Sequence, residues 1–223
     1  MRIGERRRSV TAILAGLALT GAAALTGCGV TLPAIDRTDL ANDLAARLSH
    51  ADTVAYAATY QLADGASASV AQTAKPRRTA YRWTGGALIV TPEAITKCTG
   101  TPPACSTTAP LATSSPNELP ELPKHGLVAP QRVSAMLTTA VLDLGTDIQQ
   151  RDTTVAGQPA SCVEVNGERE GLAYGFDVCV VTDGVIGSFS GLVDGVAIDM
   201  AMTHYSQALP PDAFATVAPS PTS

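Results

Sequence analysis

Alternation of apolar and polar residues, interrupted by glycine-containing turns, is the feature that most constrains the fold of this chain. From Thr53 to Leu62 every second residue is apolar or aromatic, so that Val54, Tyr56, Ala58, Tyr60 and Leu62 share one face of a strand. The dipeptide Asp64-Gly65 follows and is typical of a hairpin turn. The pattern predicts further strands at 66–74, 79–83, 87–91, 93–98, 147–155, 160–165, 174–181, 185–193 and 196–205. We therefore expect about ten strands in an antiparallel meander.

Two segments have the spacing of a helix instead. The first, Asp39–Leu48, has leucine at every fourth position, and Thr38 precedes it as the expected N-cap. The second, Pro130–Leu144, has an apolar stripe at a period of 3.6 residues. Pro130 suits the first helical position, and Gly145 is expected to end the helix.

Three stretches show neither period. The segment Thr99–His125 is rich in proline, serine and threonine and predicts a long irregular loop. We expect Asn166–Gly171 to be a polar turn between strands. The tail Leu209–Ser223 has the composition of a disordered terminus.

A sheet of this width with only two helices to cover it must curl or leave an apolar concavity. We therefore predict an α+β domain over residues 38–208: a large curled antiparallel sheet, an open half-barrel, with two helices on its concave side. Such a cavity suits a lipid or another apolar ligand. The alternative is a tightly curled sheet that fills its own interior. Tyr81 and Trp83 either line the cavity or pack in the core. The candidate ligand-binding residues are Tyr56, Tyr60, Trp83, Phe176, Met200 and Met202.

The N-terminus has the organisation of a bacterial lipoprotein signal. Arg6, Arg7 and Arg8 form a positive region, and an apolar stretch from Val10 to Leu25 follows it. The residues Leu25-Thr26-Gly27-Cys28 resemble a lipobox, which implies cleavage before Cys28. It also implies acylation of Cys28, with palmitate among the attached acyl groups. Residues 1–27 are then the signal peptide and residues 28–37 the lipidated tether. The alternative is an uncleaved membrane anchor, and both Sec and Tat export remain open.

Four cysteines remain once Cys28 carries a lipid, an even number in an exported chain. They allow three pairings, of which we favour Cys98–Cys105 and Cys162–Cys179. The second pair falls on neighbouring predicted strands, on the face that also carries Glu164 and Asp177 and is therefore the more polar one. A metal site built from all four thiolates is disfavoured because the sequence has no C-x-x-C pair and no nearby histidine.

Composition argues against several other functions. The net charge is −5 and only 16% of residues are charged, so we expect no nucleic-acid partner. The three histidines are far apart in sequence, and we expect no metal and no cofactor. Phe189 occupies the centre of the Gly187–Gly191 segment, where a nucleophile elbow needs serine. We expect the chain not to be an enzyme.

The lipobox, short helix, first meander, proline-rich gap, second helix and second meander together resemble the actinobacterial lipoproteins of the LppX/LprG type, which share the LolA/LolB fold. The resemblance covers most of the region after the tether, and only the lipobox is a specific motif. It implies a protein that binds or carries a lipid. The lipobox implies a location on the extracytoplasmic face of the cell membrane, in the periplasm or cell envelope, and we expect a monomer. The alternative function is a structural, regulatory or interaction lipoprotein with a self-filled core.

Overall fold

Eleven strands form one antiparallel sheet in the computed structural model, which describes residues 37–109, 119–169 and 172–216. The first meander contains β1 (Tyr56–Leu62), β2 (Ser67–Ala74), β3 (Arg77–Trp83), β4 (Gly86–Val90), β5 (Ile95–Thr99) and β6 (Ala104–Thr108). The second contains β7 (Asp147–Val155), β8 (Gln158–Arg169), β9 (Leu172–Val181), β10 (Ile186–Val193) and β11 (Val196–Ser206).

The two meanders join through their first and last strands. The order across the sheet is β6-β5-β4-β3-β2-β1-β11-β10-β9-β8-β7, so β1 pairs with both β2 and β11. Ala58, for example, lies opposite Val70 on one side and Tyr205 on the other. Among the described strands β6 and β7 are the two edges, so the sheet is not closed. The prediction of a large antiparallel sheet with two helices is confirmed.

Both helices form because each presents an apolar stripe to the sheet. Helix α1 (Arg37–His50) buries Ala41, Leu44 and Leu48. Helix α2 (Pro130–Leu142) buries Val133, Leu137 and Ala140. The two helices contact each other, and their buried residues belong to the same core as the sheet. Neither helix has the length and apolarity needed to cross a bilayer, and no other described helix does.

The face of the sheet that the helices cover is called the inner face here. It carries Tyr56, Ala58 and Tyr60 of β1, all buried as the alternation predicts. Across the sheet, Met202 of β11 lies opposite Tyr60 and Met200 lies opposite Leu62. Phe189 of β10 is buried beside Met200. Burial of this face from β4 to β8 in one continuous core is what holds the two meanders together.

The helix ends differ from the predictions. Helix α1 begins at Arg37, so Thr38 lies in its first turn and is not the residue that precedes it. Pro130 is confirmed at the first turn of α2, but the helix ends at Leu142, not at Leu144. The backbone of Asp143 is extended, and its carboxylate accepts a hydrogen bond from Gly145 N at 3.0 Å. This Asx turn competes with a further helical turn.

Two stretches predicted to be irregular contain strand. Strand β6 lies within the expected loop Thr99–His125, because Cys105 pairs with Cys98 of β5 and their side chains are bonded. The expected turn Asn166–Gly171 is mostly a continuation of β8, which pairs with β9 as far as Arg169. Ladder hydrogen bonds and the opposing strand outweigh the weak strand propensity of these polar residues. Residues 110–118, in the first of these stretches, lie outside the described residues.

The prediction of a disordered tail is wrong for its first half. Residues 209–216 lie against the outer face of the first meander, where Ala213 is buried. Arg82 of β3 donates hydrogen bonds to the carbonyl oxygens of Asp212 and Ala213, each at 3.3 Å, and to that of Ala215. The guanidinium of Arg78 lies 4.6 Å from the centre of the Phe214 ring. Residues 217–223 lie outside the described residues.

Both favoured disulfides are present, Cys98–Cys105 between β5 and β6 and Cys162–Cys179 between β8 and β9. The second pair lies on the face that also carries Asp177 and Glu164, as expected, and Cys162 and Cys179 are nevertheless only 0% and 2% exposed. Arg151 of β7 lies opposite Cys162, and its guanidinium contacts both carboxylate oxygens of Asp177 at 2.8 Å. This ion pair bridges from β7 to β9 on the face of the disulfide.

Candidate functional site

A cavity of about 230 Å³ lies between the inner face of the first meander and the segment that leads into α2. Its lining comes from β3, from the end of β4 and its following turn, and from two positions on either side of the start of α2. These residues are Arg77, Thr79, Tyr81, Val90, Thr91, Pro92, Leu119 and Gln131. Helix α1 makes its main strand contacts with β7 and β9 of the second meander, which leaves this part of the first meander less completely covered.

Tyr81 is the most buried residue of the cavity lining. The residue is 4% exposed, and burial raises the pKa of its phenol well above the ordinary value. No hydrogen bond to the rest of the described chain engages its hydroxyl. The polar neighbours are already paired: Thr79 donates to Gln72 Oε1 at 3.2 Å, and Gln72 donates to Ala51 O. The Tyr81 hydroxyl is therefore a neutral donor available to a molecule in the cavity.

Val90, Pro92 and Leu119 form the apolar part of the wall. Leu119 also lines a neighbouring cavity of about 170 Å³, which extends along the start of α2 to Arg132 and Asp194. Arg132 and Asp194 form an ion pair there. One leucine thus separates two openings on either side of the entry to α2.

An ion pair between Arg77 and Asp52 lies at the rim of the cavity. The Arg77 guanidinium lies 2.7 Å from Asp52 Oδ1, and Gln131 Nε2 donates to the same oxygen at 3.4 Å. Burial raises the pKa of Asp52, and the nearby Arg77 charge lowers it by less. The ion pair fixes Arg77 at the mouth, while its remaining N–H groups can bind an anionic or polar end of a ligand.

The segment Leu119–Gly126 covers the inner face beside the cavity. Leu122 is fully buried, and a short 3-10 helix, Pro123–His125, follows it. Lys97 of β5 donates to Glu121 at 2.7 Å, and this hydrogen bond together with one from Lys124 lowers the pKa of Glu121. These contacts hold Glu121 in place, two residues after Leu119, and so help to fix the position of Leu119.

The six predicted ligand-binding residues do not converge on one cavity. Tyr56, Tyr60, Met200 and Met202 are buried in the core, where the Tyr60 hydroxyl donates to Ile186 O at 2.8 Å. Trp83 lines an opening of about 260 Å³ at the opposite end of β3. Phe176 lines another of about 280 Å³ between β9 and α2.

Of the residues that line this cavity, only Tyr81 was a candidate from the sequence, where it was expected either to line a cavity or to pack in the core. Val90, Pro92 and Leu119 were not predicted. The sequence did contain one indication of the cavity: Tyr81 and Trp83 lie on the same face of β3, and this is the face that borders the cavity. Nothing in the sequence indicates that Leu119 closes the cavity, because its contact depends on the path of the chain between β6 and α2.

The lipobox residues Leu25, Thr26, Gly27 and Cys28 lie outside the described residues. Within the described parts of the chain, no group of three or more histidine, cysteine or acidic side chains is arranged to hold a metal ion.

Comparison with known proteins gives little on function. No protein-family model matches the chain, and no curated protein matches it. Among solved structures, it is similar to the crystal structure of an uncharacterized conserved protein from Thermus thermophilus, with 12% sequence identity and a TM-score of 0.46. That alignment covers 82% of this chain and 96% of the other.

Proposed function

We propose that this protein is a membrane-anchored envelope lipoprotein of the LppX/LprG type that binds a lipid or another apolar ligand in the cavity beside Tyr81. The observation that carries the proposal is the composition of that cavity. Its wall is mainly apolar, with one buried hydroxyl free to donate and one arginine at the rim. A few polar groups placed in an apolar cavity are typical of sites that bind small organic molecules.

The size of the cavity narrows the class of ligand. At about 230 Å³ it is smaller than the roughly 300–1,000 Å³ usual for small-molecule sites. A slender apolar group, such as one acyl chain, therefore fits better than a lipid with several chains. The chain would lie against Val90, Pro92 and Leu119, and an oxygen of the ligand would accept the hydrogen bond from Tyr81. The Arg77 guanidinium would face the polar end.

The location follows from the N-terminal sequence. A positive region, an apolar stretch and a lipobox-like tetrapeptide support export and acylation of Cys28. A two-chain lipid gives stable anchoring. The domain would then be held at the extracytoplasmic face of the membrane, where its ligand is abundant. We propose a binding protein and not an enzyme.

One observation favours the alternative function, a structural or interaction lipoprotein. The centre of the inner face is filled by its own side chains, since Tyr56, Tyr60, Met200 and Met202 are all buried in the core. If the cavity beside Tyr81 is only a packing irregularity, the domain binds no apolar ligand.

Native mass spectrometry separates the two functions. The chain is expressed with Cys28→Ser, purified, and weighed before and after incubation with a long-chain fatty acid. Ligand binding predicts a bound mass that is weakened by Tyr81→Phe and lost in Val90→Phe, which fills the cavity. Thr107→Phe, on the exposed edge strand β6, is the matched control and should bind normally. A bare protein mass with no uptake of added fatty acid would overturn the proposal.

A further inference from the structure

Two large apolar side chains stand in solvent where α2 ends. Leu142, the last residue of the helix, is 79% exposed, and Leu144, two residues later, is 87% exposed. They are the two most exposed large hydrophobic side chains of the described residues. Single exposed leucines are ordinary on protein surfaces, but two within one turn at one corner of the molecule form a local apolar protrusion.

The turn that carries these leucines is held in place. Arg37 of α1 donates to Asp143 O at 3.2 Å and to Thr146 O at 3.3 Å. The Tyr174 hydroxyl donates to Asp143 Oδ2 at 3.2 Å, and Thr146 N donates to Asp143 O at 3.1 Å. The leucines are therefore presented on a fixed platform, and little conformational entropy is lost when they become buried.

Lipidation of Cys28 would limit the distance between Arg37 and the membrane. Arg37 lies nine positions after Cys28 in the sequence. A stretch of that length spans at most about 32 Å when fully extended. Lipidation of Cys28 would thus keep the corner formed by Arg37, Leu142 and Leu144 within a short distance of the bilayer surface.

We propose that Leu142 and Leu144 insert into the surface of the bilayer and dock the domain with this corner against the membrane. The inference rests on the lipidation of Cys28 in the proposed function. Moving an apolar side chain from water into the region below the headgroups lowers the free energy of the system. Tyr174 both contacts the platform and lines the opening between β9 and α2, so docking also brings that opening close to the bilayer.

The test uses the mature lipidated protein in phosphatidylcholine vesicles. Because the native cysteines are acylated or disulfide-bonded, a single added cysteine can carry an environment-sensitive fluorophore. We place it at Thr138→Cys, exposed one helical turn before Leu142, and compare it with Thr154→Cys. Thr154 is exposed near the other end of β7, about 24 Å along the strand from Asp147. Docking predicts a blue shift, and quenching by shallow spin-labelled lipid, at 138 and not at 154.

A second variant separates insertion from mere proximity. Leu142→Ser together with Leu144→Ser should reduce quenching of the 138 probe about tenfold, because removing two inserted leucines weakens the membrane contact. If the protein binds vesicles but the probes at 138 and 154 are quenched equally, the docking proposal is wrong, while the lipid anchor and ligand binding are unaffected. If the protein does not float with vesicles, both the anchor and the docking are wrong. Ligand uptake is decided separately, by mass spectrometry.

Discussion

Trp83 and His125 stack face to face, with ring centroids 3.9 Å apart and an interplanar angle of 14°. The tryptophan belongs to β3 and the histidine to the 3-10 helix between β6 and α2. The stack therefore ties the connecting segment to the sheet at one end of β3, while Leu119, at the start of the same segment, lines the cavity near the other end. Anything that loosens the stack should loosen the wall of the cavity.

Acidification should weaken this stack. Burial lowers the pKa of His125 below its ordinary value of 6.5, and this outweighs the opposite effect of the Glu121 carboxylate. The unfolded chain then binds the proton more tightly than the folded one. The contribution of neutral His125 to stability is complete above pH 6.5 and is lost as the pH falls from 6.5 toward the lower pKa of the folded protein.

Fluorescence of Trp83, the single tryptophan of the chain, measures this titration. We expect a transition with a midpoint below 6.5 that disappears in His125→Gln. A midpoint above 6.5 would show that the imidazolium is favoured in the fold and would contradict the prediction.

Gly184 should tolerate no side chain. It has φ +82° in the turn between β9 and β10, and a Cβ there would lie 1.9 Å from Arg47 O of α1. Gly184→Ala must displace helix or turn as well as strain the backbone, and we expect a loss of about 3 kcal/mol or more in the free energy of unfolding. Gly65→Ala is the matched control, since φ is +79° and no atom lies within 4 Å of its Cβ. It should cost only about 1–2 kcal/mol in urea denaturation.

The two disulfides should contribute unequally to stability. Cys162–Cys179 closes a separation of 17 residues, and Cys98–Cys105 closes 7. Loop-closure entropy gives about 3.1 and 2.4 kcal/mol respectively. Replacing the first pair by alanine also removes buried sulfur atoms, whereas Cys105 is exposed. Thermal denaturation of the two double-alanine variants should therefore show the larger loss for Cys162 and Cys179. A difference of only about 0.7 kcal/mol would mean that the buried pair adds nothing beyond chain closure, and equal losses would contradict the prediction.

Arg82 should hold the C-terminal segment on the sheet. Its guanidinium donates to three carbonyl oxygens in residues 212–215, and hydrogen bonds from a charged donor contribute about 1.5–3 kcal/mol. Arg82→Ala should lower the free energy of unfolding by about 2 kcal/mol and speed amide exchange in that segment. Arg47→Ala removes an exposed ion pair with Asp43 and should change stability by less than about 0.5 kcal/mol. Unchanged exchange in residues 212–215 would show that other contacts hold the segment.

Local pattern was enough wherever neighbours along the chain decide the structure. The alternation in β1 and the Asp64-Gly65 turn predicted a strand and a hairpin, because side-chain period and a positive φ are properties of a few consecutive residues. The same reasoning failed for β6, whose residues Ala104–Thr108 are all exposed and show no alternation. That strand depends on its partner β5 and on the disulfide to Cys98.

The sequence by itself determined most of the strands and turns of this protein, its two amphipathic helices, four cysteines that can pair after Cys28, and a tetrapeptide that resembles a lipobox. Only the tertiary structure decided that β1 pairs with β11, that Tyr56 and Met200 fill the core while Tyr81 borders a cavity, and that Leu142 and Leu144 protrude beside Arg37. The physical reason is distance along the chain. Periodicity fixes which face a residue occupies, but what covers that face depends on segments far away in the sequence.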